Sequence, residues 1–434
     1  MTSLANFLAS LFDGDAMETT RMGKRAADAG EGRWRDIASA FHFKPGLIYL
    51  NSGSEGSLPV EMQALLAASM KRWASSPSQA FFDDVNLDSK QVANRRRVAQ
   101  FVGADPADLV LTDNTTMGLA MVLLGLPLNG PCEIITTQQD HFSMYSPLYV
   151  LSRRHDIKII KVSLPVPARS SEDVIRIFRQ AITPRTRALC FSHINYAVGL
   201  RMPVRELCAL ARERNILTLV DGAHAPGMLD INLRELGPDF YAASGHKWLN
   251  GPPGTGMLYI RHAQANPWHL QAIVSERAMD VGDGLTIADA LQARANLNGP
   301  AFYTLARTAE FFEGIGKAAI EQRILTLSAE VERSAVARWG RDCLLSPSSQ
   351  AAALRCGLTA FVPSRNGALA YDAARMQQIA QRLCDQAGIW VLCTATPGPD
   401  GGRGPQINAL RVSTHIYNFP DQIDRLFAAL DELV

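Results

Sequence analysis

The strongest constraint on this chain is a run of short apolar segments separated by helical patterns. Leu109–Thr112, Glu133–Thr136, Ile157–Val162, Ala188–Ser192, Ile216–Val220 and Gly256–Ile260 read as strands. Between them, segments such as Glu172–Ile182 and Pro203–Arg214 read as helices. Several of the strands are apolar almost throughout, the pattern of a strand covered on both faces. Alternation of this kind predicts βαβ units and an α/β fold, with a mostly parallel sheet between helices.

The pattern changes near residue 300. Ala301–Trp339 reads as one long helix with few breakers. Gly357–Pro363, Gly388–Leu392 and Ala409–Ser413 read as strands, and Asp372–Ala387 and Phe419–Val434 as helices. A chain of 434 residues is too long for one compact core. The expected organisation is an N-terminal extension (1–46), a large domain (47–300), and a linking helix followed by a smaller α+β C-terminal domain (301–434). Residues 397–405 are rich in Gly and Pro and read as a mobile loop, a candidate lid or specificity loop. The apolar start, Met1–Phe12, lacks a basic leader, and Asp13 and Asp15 stand where a cleavage site would fall. The basic residues Arg21, Lys24 and Arg25 follow the apolar stretch, the wrong order for twin-arginine export. The extension is expected either to pack on the body or a partner subunit, or to be a solvated tail.

Charge and cysteine content exclude several classes. Lys and Arg total 43 and Asp and Glu 42, so the net charge is +1 and gives no general pull on nucleic acid or anionic membrane. No apolar run approaches the roughly 20 residues that span a bilayer. The seven cysteines include no C-x-x-C pair. That argues against zinc ribbons and thioredoxin-like sites, predicts no metal centre, and suits reduced thiols in a cytoplasmic enzyme.

The stretch 218–260 carries the chemistry. Asp221 follows an apolar strand, which places its carboxylate at the sheet edge where open α/β folds bind ligands. Lys247 lies in Ser244-Gly245-His246-Lys247-Trp248, a small, Gly-containing context unlike a solubilising surface. Asp221 alone reads by default as a helix cap or turn residue, and the joint pattern with Lys247 reverses that. Together the two residues suit pyridoxal phosphate, which needs a lysine amine for a Schiff base with its aldehyde and a carboxylate to keep its ring nitrogen protonated. Its phosphate needs a helix N-terminus and hydroxyls. Thr115 and Thr116, between a strand and a helical run, suit that role, although they also read as plain N-caps. Ser244 and His246 can add donors.

These residues resemble the class V aminotransferase group of fold-type I pyridoxal-phosphate enzymes, which includes cysteine desulfurases and isopenicillin N epimerase-like proteins. The resemblance runs from about residue 47 to 434. Its most specific part is Asp221-Gly222-Ala223-His224 together with Ser244–Trp248, and Gly251–Gly256 is the usual sequel to the lysine motif. It implies the fold-type I architecture, with Lys247 holding the cofactor and serving as the Cα base, Asp221 on the pyridine nitrogen and His224 as a further ring contact. Thr112–Gly118 resembles the phosphate-binding turn. His141 in Thr136–Phe142 matches the ring stacked over the cofactor; a buried, satisfied histidine is the alternative. In His193–Gly199, Asn195 matches the residue approaching the phenolic oxygen, and Tyr196 matches equally well. Arg411 matches the clamp for a substrate α-carboxylate, with Asn51 and Ser52 of Leu50–Gly53 at the substrate mouth; an inter-domain salt bridge is the other reading of Arg411. Trp248 reads as packing.

Two positions depart from the family pattern. Relatives place a Gly-Thr pair near Ala295–Asn298 that crosses the dimer interface to the neighbouring phosphate; here Asn296 holds the Thr position. A desulfurase needs a nucleophilic cysteine on a loop, whereas Cys393 continues a strand and the matching position falls near Pro397. The motif variants are most similar to the epimerase-like branch. The resemblance therefore implies a homodimer with shared active sites acting at Cα of an amino acid or derivative, in specialised metabolism. A C–S lyase, desulfurase or aminotransferase is the alternative. A non-catalytic partner protein is the reading from another class, and the intact lysine, aspartate and arginine argue against it.

Overall fold

The computed structural model describes residues 30–82, 91–126, 128, 130–262, 286–294, 297–364, 369–398 and 405–434. In chain order its strands are β1 (Ile48–Tyr49), β2 (Leu109–Thr112), β3 (Cys132–Thr137), β4 (Ile157–Val162), β5 (Thr186–Ser192), β6 (Leu217–Asp221), β7 (Phe240–Ser244), β8 (Gly256–Ile260), β9 (Leu358–Phe361), β10 (Ile389–Trp390), β11 (Leu392–Thr396) and β12 (Ile407–Ser413). Seven form the large sheet, in the order β2-β8-β7-β6-β5-β3-β4. The pairs among β3 to β7 are parallel, and β8 runs antiparallel to both neighbours.

Side-chain alternation explains the apolar runs. Leu109, Leu111, Ile135, Leu189, Val220 and Met257 enter one core. Val110, Ile134, Ala188, Leu219 and Leu258, which alternate with them, enter a second core on the other face. Both faces are thus covered. The edge strand β4 is less buried and carries Lys158 and Lys161, charges that discourage edge-to-edge pairing. β7 (FYAAS) escaped the sequence reading because Ala and Ser have weak strand preference. Its pairing with β6 and β8 makes it a fully buried strand.

The C-terminal part differs from expectation in three places. Ala301–Trp339 is two helices, Gly299–Ile315 and Lys317–Trp339, because Gly316 takes φ +97 and breaks the hydrogen-bond ladder. Gly388–Leu392 is divided at Val391: β10 pairs with β1, and β11 pairs with β12. The segment around Ile48, expected to open the large domain, therefore joins the C-terminal strands. The small antiparallel sheet has the order β11-β12-β9. Phe361 of β9 stacks on Trp339 and Phe427 from two covering helices, at 5.7 and 5.6 Å.

Residues 30–46 pack on the body. Trp34, Ile37, Ala40 and Phe41 enter the main core. Glu31 meets the Arg323 guanidinium through both oxygens, at 2.5 and 3.0 Å. The earlier part of the extension and the tip of loop 397–405 (399–404) lie outside the described residues. No helix among the described residues is long and apolar enough to cross a membrane.

Candidate active site

The site lies at the C-terminal ends of the parallel strands, where a turn or helix start follows each strand. Asp221 is the last residue of β6 and is buried. Its Oδ1 accepts from the Ala223 N–H at 2.9 Å. Burial pushes its pKa up to about 6, although the Ala223 N–H and Lys247 both oppose the rise. Gly222 is required here, because a Cβ would overlap the Tyr241 ring. The Tyr241 hydroxyl is held 2.9 Å from Nδ1 of buried His193, whose pKa burial drives down to about 3. Both side chains behind Asp221 are therefore uncharged near neutral pH.

Lys247 follows β7 on a turn tied by the Gly245 N–H to Thr255 O and by the Gly251 N–H to Gly245 O, both 2.8 Å. A Cβ at Gly245 would approach Leu305 and Thr255 to 2.6 Å, which explains the small residue beside the lysine. Lys247 Nζ lies 3.4 Å from His224 Nε2. Burial lowers the lysine pKa to about 8, with Asp221 resisting and Arg411 adding to the drop. An amine poised this way is available as a nucleophile and base near neutral pH.

The same cleft also reaches a helix N-terminus. Thr115 and Thr116 open the helix Thr115–Gly125, capped by Asn114, whose side chain accepts from the Met117 N–H at 2.9 Å. Thr115 Oγ1 is 2.7 Å from Ser244 Oγ, and Thr116 Oγ1 is 2.8 Å from Ser143 Oγ. Hydroxyls clustered on a helix N-terminus suit a phosphate. His246 is held by Thr255 O at 3.3 Å, and burial lowers its pKa. His141 caps the helix Phe142–Arg154 by accepting from the Ser143 N–H on Nδ1 at 3.2 Å. Burial, then Lys247 and Arg411, lower its pKa, so the ring is neutral. Just before it, Asp140 staples strand ends, accepting from Thr136, Thr137 and both the N–H and hydroxyl of Ser192.

Arg411 on β12 is fully buried, yet no carboxylate pairs with it among the described residues. Its Nη1 donates to Tyr196 O at 2.8 Å, and its Nη2 to Asn51 Oδ1 and Ser54 Oγ at 3.0 and 3.1 Å. Its buried Nε has no acceptor. Burial lowers its pKa to about 10. A buried cation without a counter-ion is costly, and one lining a cleft suits an anionic ligand.

A cleft of about 460 Å³ gathers Lys247, Asp221, His141, His224, Thr115, Thr116, Ser244, His246 and Arg411. Three expected residues do not line it. Asn51 braces Arg411. Ser52 is corrected: its hydroxyl is bound to Tyr417 at 2.7 Å, and Gly53 and Ser54 line the cleft instead. Asn195 is corrected too: its amide holds Gln139 O and the N–H groups of Ala197 and Val198, and Tyr196 lines the cleft. Asn296 lies outside the described residues. Ser143 and Leu392 were missed. Ser143 was signalled by its place beside His141; Leu392 had no signal. Since Leu392 lines the cleft, its neighbour Cys393 emerges on the other strand face and packs against the main core, where burial raises its thiol pKa.

An amine, a carboxylate at a strand end and a hydroxyl-lined helix start in one cleft fit pyridoxal phosphate, so fold and site define an α/β enzyme built around that cofactor. The chain belongs to the class V aminotransferase family, whose pattern matches residues 48–426. It is a pyridoxal-phosphate-dependent enzyme of that family. It is similar to isopenicillin N epimerase of Streptomyces clavuligerus, 29% identical over 412 residues, covering 92% of this chain and 98% of that protein. A probable chloroplastic L-cysteine desulfhydrase of Arabidopsis thaliana is 25% identical over 422 residues, covering 92% of this chain and 86% of that protein. Among solved structures, a cystine C–S lyase in complex with cysteine persulfide superposes with a TM-score of 0.72 at 24% identity, covering 88% of this chain and 96% of that one. The apo cysteine desulfurase of Thermococcus onnurineus NA1 gives 0.73 at 21% identity, covering 92% and 97%.

Proposed function

We propose that this enzyme removes the Cα proton of an amino acid or amino-acid derivative, in epimerase-like chemistry of specialised metabolism. The observation that carries the reading is Arg411, a buried guanidinium with no carboxylate partner among the described residues, which lines the same cleft as Lys247. A fork of this kind binds an α-carboxylate bidentately and so fixes where Cα stands.

The bound cofactor supplies an electron sink for charge released at Cα. Lys247 would offer the amine that holds the cofactor's aldehyde, and its Nζ would take the Cα proton. Asp221 would hold a proton on the ring nitrogen by its negative charge. His141, a neutral imidazole lining the same cleft, would contact the ring. The turn at Thr115 and Thr116, with Ser244 and His246, would hold the phosphate. Asn51 and Ser54 aim Arg411. The exposed Phe142 and Tyr149 of the helix that His141 caps support a homodimer in which a second copy closes the site. The seven unpaired cysteines support a reducing, cytoplasmic setting. The lack of any cysteine lining the cleft argues against persulfide chemistry. A C–S lyase acting on a substrate thiol shares the first proton step and is the second reading, supported by the desulfhydrase relative.

The test is exchange of the Cα proton in D₂O with a panel of amino acids and derivatives, with Lys247→Ala in parallel. Expected are Cα deuteration and appearance of the opposite enantiomer, both absent from the variant. Release of a keto acid and sulfide would select the lyase. No exchange with any substrate, or exchange surviving in Lys247→Ala, would overturn the proposal.

A further inference from the structure

Trp248 directly follows the lysine and is fully buried. Its indole N–H lies 3.1 Å from Nδ1 of His224. An indole nitrogen only donates, so Nδ1 must carry a lone pair. Burial, then the charges of Lys247 and Arg411, hold the His224 pKa well below its ordinary value, so the ring is neutral and its proton sits on Nε2. That nitrogen is the one 3.4 Å from Lys247 Nζ. A neutral amine can accept a bond from it; an ammonium cannot.

The indole is itself locked. It stacks on His415 at 5.4 Å and 19°. The Ile416 N–H donates to His415 Nδ1 at 2.7 Å, which places the His415 proton on Nε2, and that group donates to Trp248 O at 2.8 Å. On another side Gly357 leaves room, since a Cβ there would come within 2.9 Å of the indole.

We propose that Trp248 is a positioning residue: by donating to His224 Nδ1 it fixes the Nε2–H tautomer and presents a donor, not an acceptor, to Lys247 Nζ. The opposite tautomer would offer Lys247 a lone pair and hold its ammonium. With the lock in place, the free amine is favoured. The other groups around Lys247 are Asp221 from β6, Arg411 from β12, His141 from its helix cap, and His246, and they are the same for either tautomer. The use of the free amine rests on Lys247 being the reactive lysine; the tautomer does not.

The test uses cofactor-free protein. ¹⁵N spectra of histidine-labelled protein, with His224 assigned by its loss in His224→Gln, should show one Nε2–H tautomer in the native protein and a mixture in Trp248→Phe. Reductive methylation of Lys247, followed by mass spectrometry across pH, should show its apparent pKa rising by about one unit in Trp248→Phe, roughly tenfold less free amine at pH 7. His224→Gln should keep the native profile, because an amide accepts from the indole and donates to Lys247 at once. A proton on Nδ1 in the native protein overturns the proposal, as does an unchanged tautomer or lysine profile in Trp248→Phe. Should that variant not fold, the native tautomer and the His224→Gln lysine profile remain decisive: an Nε2–H tautomer with an unchanged profile upholds the proposal, and a raised lysine pKa in His224→Gln overturns it. If Lys247 is not the cofactor lysine, the cofactor absorbance will survive in Lys247→Ala while the tautomer result stands.

Discussion

Replacing Arg411 by methionine separates a carboxylate clamp from a merely architectural arginine. Burial takes the guanidinium from 12.5 to about 10. That corresponds to about 3 kcal/mol against the charged form in the folded protein. A base with a lowered pKa is charged in the fold at every pH below about 10, so the cost is present in full at pH 7. Against it stand hydrogen bonds to Tyr196 O, Asn51 Oδ1 and Ser54 Oγ, each contributing about 1 kcal/mol net. Methionine keeps much of the length and loses both contributions, which nearly cancel. The cofactor-free variant should therefore change stability by about 1 kcal/mol or less, where breaking a buried ion pair costs about 3–5 kcal/mol. Substrate binding should fall by about 2–5 kcal/mol, roughly 30-fold to several thousand-fold. The assays are urea unfolding midpoints without cofactor and spectral titration of the loaded enzyme with its amino acid. A strongly destabilised variant that still binds substrate normally would refute the reasoning.

Three further outcomes follow from the same geometry. Lys247 has a folded pKa of about 8 against an ordinary 10.5, so its contribution to stability is present above pH 10.5 and is lost as pH falls toward 8, about 3 kcal/mol in all. Cofactor-free Lys247→Met should lack that slope and be more stable than the native protein at pH 7; parallel unfolding curves through this window would show that the amine is not desolvated. Gly222→Ala drives a methyl group into the Tyr241 ring, which His193 backs, and should cost at least about 1–3 kcal/mol and weaken cofactor binding through Asp221. An unchanged melting temperature together with unchanged cofactor affinity would mean the ring has room to move. Cys393→Ser should leave turnover intact, since the thiol lies off the cleft; abolished turnover in a folded variant would return persulfide chemistry to consideration.

Legibility in the sequence followed how local each signal was. The Asp221–His224 and Ser244–Trp248 motifs each sit on one strand end and one turn, so their residues could be named from the chain alone. The hydroxyl groups at Thr115 and Thr116 were legible because a strand, a cap and a helix follow one another without interruption. Ser52 and Asn195 failed for the opposite reason. Both belong to turns in which neighbouring polar residues compete for the cleft, and only the backbone path decides that Ser54 and Tyr196 face inward while Ser52 binds Tyr417 and Asn195 binds its own loop.

The sequence by itself determined the covered parallel sheet, through apolar runs that feed two cores, and it singled out the lysine and aspartate that line one cleft. Tertiary structure alone decided three other things. It broke the long helix at Gly316, where one positive φ outweighs the helical pattern around it. It made β7 a strand by flanking it with β6 and β8 despite its weak propensity. It also carried Arg411 from the last strand into a cleft built by residues far earlier in the chain and left that charge without a carboxylate among the described residues. Propensity and motif are properties of neighbours in sequence; burial of an unpaired charge is a property of what surrounds it in space, which no local pattern encodes.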